Sequence, residues 1–414
     1  MDDFGSYVRN SRGLVVQPRM GFSVPDTMRS GLAATADARA DTVGTITLDS
    51  FTRVGDLETA ARAVRSGADL NGYPVLTHDP SVTGWVIADS VAAGFPVQVR
   101  HGSALAHPIV DRVVQVGLSA TEGGPISYCL PYGRTPVADA VTDWARTCET
   151  LASARTPTRI PHLESFGGCL MGQLCPPSLL VAVSILEGLF FAEHGLTSMS
   201  LSYAQQTDEV QDREALEVLG RLAARYLPTT QWHIVVYAYM GVYPTTVGGA
   251  TDLLGAAARL AVAGSADRLI VKTVAESQRI PTIEQNVTAL EYAADAAVPA
   301  DIPLCDSGIE EEAVALIEGA LDCHRDIDTA LVRALDRGIL DVPYCLHPDN
   351  RGRSRAVIDG TGRLQWSSIG SMPLPLRDTR AHAMSSTALL HNLHHVQNKF
   401  DVPHLPYTRE EELT

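Results

Sequence analysis

The chain has 414 residues, of which 45% are hydrophobic and 19% charged, and its formal charge is −16. Such a chain builds an apolar core and exceeds one small domain. The acidic balance excludes a nucleic-acid or anionic-membrane binder, which needs a basic footprint, but it leaves room for an anionic small substrate met by a few pocket arginines. The opening MDDFGSYVRN lacks the apolar segment of a secretory signal. The longest apolar stretch, Leu179 to Ala192, is broken by Glu187 and falls short of the ~20 residues of a membrane span. Seven cysteines without close pairing suit a reduced compartment. The expectation is a soluble cytoplasmic protein.

In chain order, short runs rich in Val, Ile and Leu alternate with longer stretches of helical spacing. The expected strands are Leu14–Gln17, Val43–Leu48, Pro74–Thr77, Pro96–Val99, Gly117–Thr121, Ile160–Leu163, Met199–Tyr203, Ile234–Tyr239 and Leu269–Lys272. Between them lie helix-like segments such as Asp26–Ala38, Leu57–Ser66, Leu179–His194, Asp212–Tyr226 and Ala250–Ala263. Strand alternating with helix implies parallel pairing and an α/β fold. Nine candidates stand against the eight of a closed (β/α)8 barrel, so one is surplus.

Polar residues follow these runs closely. Arg19 follows the first, Asp49–Arg53 the second, Arg100-His101-Gly102 the fourth, Glu122-Gly-Gly the fifth and Lys272-Thr273 the last. In a (β/α)8 barrel the C-terminal strand ends converge on one mouth, where active sites sit. A doubly wound sheet places ligands only near its switch point. Contributions from five strands therefore favour a TIM barrel over residues 1–342, with residues 1–12 a short lead. After Val342 a Pro/Arg/Gly-rich stretch, Pro348–Gly362, precedes a His-rich helix-like tail. Residues 343–414 are expected as a C-terminal extension packed on the barrel.

The familiar phosphate-loop, dinucleotide, nucleophile-elbow and zinc-helix motifs are absent. Cys169 and Cys175 have no matching second pair, and His391, His394 and His395 have no carboxylate or cysteine nearby. No metal site is expected in this chain, and the histidines suit a polar or subunit-contact helix.

Eight strings are long and specific: QPRMGF (Gln17–Phe22), TITLDSFTR (Thr45–Arg53), LNGYP (Leu70–Pro74), VQVRHG (Val97–Gly102), TEGGPISYCLPY (Thr121–Tyr132), LCPPS (Leu174–Ser178), YMGVYP (Tyr239–Pro244) and LIVKTVAE (Leu269–Glu276). In this order the sequence resembles the large (epsilon) subunit of glutamate mutase, also called methylaspartate mutase, from about Gly13 to about Val342 and more loosely beyond. The resemblance implies a TIM barrel that binds adenosylcobalamin. It also implies radical interconversion of (S)-glutamate and (2S,3S)-3-methylaspartate.

Matched residue by residue, the family's substrate arginines fall on Arg19, Arg53 and Arg100. Guanidinium forks suit a dicarboxylate, because they grip carboxylates bidentately and keep their charge. The carboxylate that meets the substrate amine matches Glu122, expected as the catalytic residue. Tyr128 and Tyr132 match tyrosines lining the substrate pocket. Lys272 and Glu276 match a pair contacting the adenosyl ribose, and Gly21 is expected with them as a cofactor-binding residue.

The family holds cobalt through a D-x-H-x-x-G motif. Here the nearest string, Asp322-Cys323-His324, has Ile327 where the glycine should be. A separate small cobalamin-binding subunit is therefore expected, in a heterotetramer of two large and two small chains. The sequence departs from longer members in a shorter N-terminal lead and tail. It also diverges in the stretch Glu164–Gln173 and has Tyr239 where clostridial members have Trp.

Three other readings stay open. One is the same radical chemistry on another dicarboxylic or 2-amino or 2-oxo acid, since three arginines do not dictate the skeleton. Another is a catalytically silent barrel that binds a cobalamin protein, against which Glu122, Lys272 and Glu276 speak together. The third is a barrel hydrolase or aldolase, for which Lys272 is the one candidate Schiff-base lysine.

Overall fold

The structure, a computed structural model, describes residues 3–131, 133–229, 231–276, 279–375 and 385–405. Eight strands form one sheet: β1 (Val15–Gln17), β2 (Gly44–Thr47), β3 (Val97–Arg100), β4 (Ala120–Gly123), β5 (His162–Ser165), β6 (Ser198–Ala204), β7 (Trp232–Tyr237) and β8 (Arg268–Ile270). Every pairing is parallel, and β1 lies beside β8. A parallel bridge between Val16 and Thr42 joins β1 to the approach of β2 and completes the ring. The fold is the expected (β/α)8 barrel, with helices between the strands as parallel crossovers require.

The surplus candidate is Pro74–Thr77. Tyr73 makes one parallel bridge to Leu48. Beyond it the Val75 N–H turns back to the Tyr73 carbonyl and the Thr77 N–H to the Pro74 carbonyl. Proline has no N–H to extend a ladder, so the segment becomes a turn over the barrel mouth. β4 and β5 also begin later than the apolar runs suggest, because their inward-facing residues are polar.

The lead folds as the helix Phe4–Asn10, whose N-cap Asp3 accepts from the Ser6 N–H. Phe4 and Val8 are buried. The Phe4 ring lies 5.1 Å from the His162 ring and 5.1 Å from the Arg268 guanidinium. This helix therefore stops the N-terminal end of the barrel, leaving the C-terminal end as the open one.

Inside, period-two alternation brings Gln17, Thr45, Gln98, Glu164, Ser200 and Arg268 together. Arg268 pairs with Glu164, and both side chains are 0% exposed. Gln17 donates to Thr45 Oγ1 and to Gln98 Oε1, both at 2.8 Å, and Arg268 Nη2 donates to Ser200 Oγ at 3.1 Å. A buried ion pair is tolerated when its remaining donors and acceptors are met in this way.

The Pro348–Gly362 stretch contains the first strand of an antiparallel hairpin, β9 (Ser354–Ile358), which pairs with β10 (Leu364–Ile369) just beyond it. The His-rich segment is two helices, Ser386–Leu393 and His395–Asp401, so His394 lies at their junction. Asp401 accepts from the Thr245 and Thr246 N–H groups, each at 2.9 Å, at the start of the helix Val247–Ala263. Among the described residues no helix is long and apolar enough to cross a membrane.

Candidate active site

The C-terminal strand ends bring the sequence candidates into two clusters and one flank. The deeper cluster is built on β3, β4 and β7. Arg100, the last residue of β3, sends Nε to Glu122 Oε2 at 2.6 Å and Nη2 to the Tyr237 hydroxyl at 3.2 Å. Glu122 is third in β4, and its other oxygen accepts the Tyr128 hydroxyl from the turn that follows. Tyr237 ends β7, and its hydroxyl reaches Glu122 Oε2 at 2.8 Å and also Glu164.

All of these side chains are buried. Burial is the largest single influence and opposes the Arg100 charge, but Glu122, Tyr237 and Tyr128 together outweigh it and hold the guanidinium protonated, well above its ordinary range. Burial, with Glu122 and Glu164 alongside, raises the Tyr237 phenol well above its ordinary value against the pull of Arg100. The phenol therefore acts here as a hydrogen-bonding group and keeps its proton.

The second cluster lies where β1 meets β8. Arg19, two residues past β1, pairs with Glu276 at 3.1 Å. The Glu276 carboxylate also accepts the Thr273 N–H at 3.3 Å. Lys272 is 9% exposed, and its ammonium sits 4.4 Å from the centre of the Tyr243 ring. Burial and the charge of Arg19 push Lys272 down to about 8, against the pull of Glu276. Among the described residues no salt bridge joins this ammonium to a carboxylate.

Arg53 forms the flank. Asp49 caps the short helix Ser50–Val54 by accepting from the Phe51 and Thr52 N–H groups. This holds Arg53 in the last turn, where its Nε donates to the Leu48 carbonyl at 3.0 Å. A Cβ added at Gly102 would lie 3.8 Å from Arg53 Cδ, so the guanidinium stem borders the loop after β3. Arg53 also lines a cleft of about 590 Å³ with Gly102, Ser103 and Arg134.

Two sequence candidates stand apart. Gly21 is buried, and a Cβ there would meet the Thr47 carbonyl oxygen at 2.2 Å, so close backbone packing accounts for the glycine. Tyr132 lies outside the described residues.

A family model described as the methylaspartate mutase E chain matches residues 4–390. The chain belongs to the methylaspartate mutase E chain family. Relatives named glutamate mutase epsilon subunit are 29% identical to it. The Halobacterium salinarum protein aligns over 396 residues, 92% of this chain and 82% of its own length. The Haloarcula marismortui protein aligns over 402 residues, 92% and 80%. The Desulfitobacterium hafniense protein aligns over 386 residues, 88% and 79%. The family is one of mutases, an isomerase class.

For a methylaspartate mutase E chain, the structure gives contacts to residues for which the motifs assigned no role. Tyr237 bridges two carboxylates, Phe166 packs 5.0 Å from Tyr128 and 5.4 Å from Tyr237, and Tyr243 backs Lys272. His101 stacks on Trp144 at 5.8 Å and meets the Tyr128 ring edge-on at 5.1 Å. Alternation along WHIVVY, which puts His233, Val235 and Tyr237 on one face, carried a usable signal for Tyr237.

Proposed function

We propose that the chain is the substrate-handling subunit of an adenosylcobalamin-dependent glutamate mutase, interconverting (S)-glutamate and (2S,3S)-3-methylaspartate. The observation that carries the reading is the grouping of Arg100, Glu122 and Tyr128 beside Arg19, Lys272 and Glu276 at strand ends of one barrel. Arg19, Arg53 and Arg100 supply fixed positive charge for two carboxylates. Glu122 supplies the negative group that an ammonium needs. Tyr128 holds the far oxygen of Glu122, leaving the carboxylate little freedom to turn.

The donor set also fits the adenosyl group. Lys272 offers a buried ammonium and Glu276 an acceptor, the two kinds of partner that ribose hydroxyls take. When bound, adenosylcobalamin supplies the carbon-centred radical that starts the rearrangement. The residues of this chain hold the substrate with its amine at Glu122 and its carboxylates on the arginines. Phe166, Tyr237 and Tyr243 wall the mouth with aromatic surface that excludes water. The cobalt ligand comes from a small cobalamin-binding partner bearing the D-x-H-x-x-G motif, in a heterotetramer built on a dimer of large chains.

The test mixes the purified chain with its cognate small cobalamin protein, adenosylcobalamin and glutamate. Methylaspartate and the cob(II)alamin signal are expected together. An intact complex that yields neither refutes the proposal.

A further inference from the structure

The helix Pro177–Glu193 is buried at every position from Pro177 to Gly188. Within that stretch stands one ionisable group, Glu187, 0% exposed. It faces the outside of the barrel wall. Its Oε1 accepts the Ile126 N–H at 3.2 Å and the Ser127 N–H at 2.9 Å. Its Oε2 accepts the hydroxyls of Ser127 at 3.0 Å and Ser165 at 2.8 Å. Among the described residues no cation lies within 4.0 Å of it, and burial pushes its pKa up to about 7.

What the carboxylate grips is the turn after β4. Gly124 opens that turn, and a Cβ there would fall 2.1 Å from the Glu187 carboxyl carbon, so glycine is what admits the group. The Tyr128 N–H then closes on the Gly124 carbonyl at 3.2 Å, and the phenol swings back to Glu122. Ser165 ends β5, immediately before Phe166, whose ring packs on both Tyr128 and Tyr237. One side chain thus joins the turn that carries Tyr128 to the strand end that carries Phe166.

We infer that Glu187 is a positioning residue, which sets the Tyr128–Glu122 contact from outside the barrel by fastening the 124–128 turn to the end of β5. The inference rests on the function proposed above. A carboxylate buried without a cation is costly beside an apolar side chain of similar volume. Core packing alone is better served by leucine. What leucine cannot do is hold two backbone N–H groups and two hydroxyls. Glutamine can, because its carbonyl oxygen accepts the N–H pair and its amide donates to the hydroxyl oxygens, which also accept.

A double-mutant cycle in the assembled complex tests the inference, reading kcat, KM for glutamate and melting temperature for E187Q, E187L, Y128F and E187L/Y128F. E187Q is expected to keep most of the turnover. E187L should lower kcat by about 30-fold with little change in KM, the scale expected when a catalytic contact is mispositioned. In the Y128F background the same change should cost less than about 3-fold, because its route is already gone. Losses that simply multiply overturn the inference, as do an E187L enzyme with wild-type turnover and an E187Q enzyme as impaired as E187L. If E187L fails to fold, S127A/S165A removes both hydroxyl donors and is read against Y128F in the same way. An inert wild-type complex overturns the functional reading and the inference with it. An active wild type with multiplicative losses overturns the inference alone.

Discussion

Arg19 and Glu276 hold each other at 3.1 Å across the junction of β1 and β8, with side chains 31% and 15% exposed. A carboxylate arriving at Arg19 has to share this guanidinium with Glu276 or displace it, and Glu276 is also the acceptor proposed for the ribose. A part-exposed pair of this kind is worth on the order of 1 kcal/mol. E276Q is therefore expected to lower KM for glutamate by about 5-fold and to raise KM for the cofactor. Steady-state titrations of each ligand check this. Two constants moving in the same direction would show that no competition exists at Arg19.

The fork of Arg100 is used on two sides, through Nε to Glu122 and Nη2 to Tyr237. Lysine has the charge but a single point of donation, and cannot make both contacts while presenting an N–H edge to a substrate. R100K is expected to lose at least about 100-fold in kcat/KM, equivalent to roughly 2.7 kcal/mol of transition-state binding. Its fold should stay intact by circular dichroism. Near-normal turnover would remove Arg100 from the substrate site.

The contrast between what the sequence carried and what it hid has a physical basis. Arg19, Arg100, Glu122 and Lys272 were legible because each closes or follows a strand run, and strand ends in a parallel barrel share one mouth. The ATEG of β4 and the HLES of β5 were harder to place, because their inward faces carry Glu122 and Glu164. Buried charge breaks the apolar run by which a central strand is recognised. The lead helix Phe4–Asn10 is too short to show an amphipathic period, and it owes its form to the barrel end it stops. Pro74–Thr77 misled for the opposite reason, since Pro74 and Val75 are buried without belonging to a strand. The pairing of Arg19 with Glu276 could not be read at all, because it joins residues 257 positions apart.

Tyr237 touches Arg100, Glu122 and Glu164 through one oxygen. Phenylalanine keeps the ring contact with Phe166 but removes the one proton that the two buried carboxylates share and the oxygen that accepts from Arg100 Nη2. Each unmet buried acceptor costs about 1–3 kcal/mol. Y237F is expected to lower stability by about 2 kcal/mol on the same scale and kcat by roughly 10-fold, the lower range for losing one positioned hydrogen bond. Denaturant unfolding and turnover measured on the same preparation check the two effects. A variant as stable and as active as wild type would show that Arg100 and Tyr128 alone hold Glu122.

His101 is buried between Trp144 and Tyr128, with its Nδ1 accepting the Ser103 N–H at 3.1 Å. Burial, with Arg53 adding repulsion, pushes it down to about 3 from the ordinary 6.5. Between those two values the unfolded chain binds a proton that the folded chain refuses, so stability falls as pH drops below about 6.5. His162 and His233, also buried and lowered, act in the same direction. Glu187 and Asp212, each raised to about 7 by burial, act the opposite way, since the fold keeps their protons where the unfolded chain would lose them. The total slope mixes these signs, so the comparison to make is with H101Q, whose carbonyl can still accept from Ser103. From pH 6 to pH 4.5 wild type should lose stability faster than H101Q, by about 1.4 kcal/mol per pH unit. Urea unfolding at pH 7, 6, 5 and 4.5 measures the difference, and parallel curves for the two proteins would mean that His101 takes up a proton as readily in the fold as outside it.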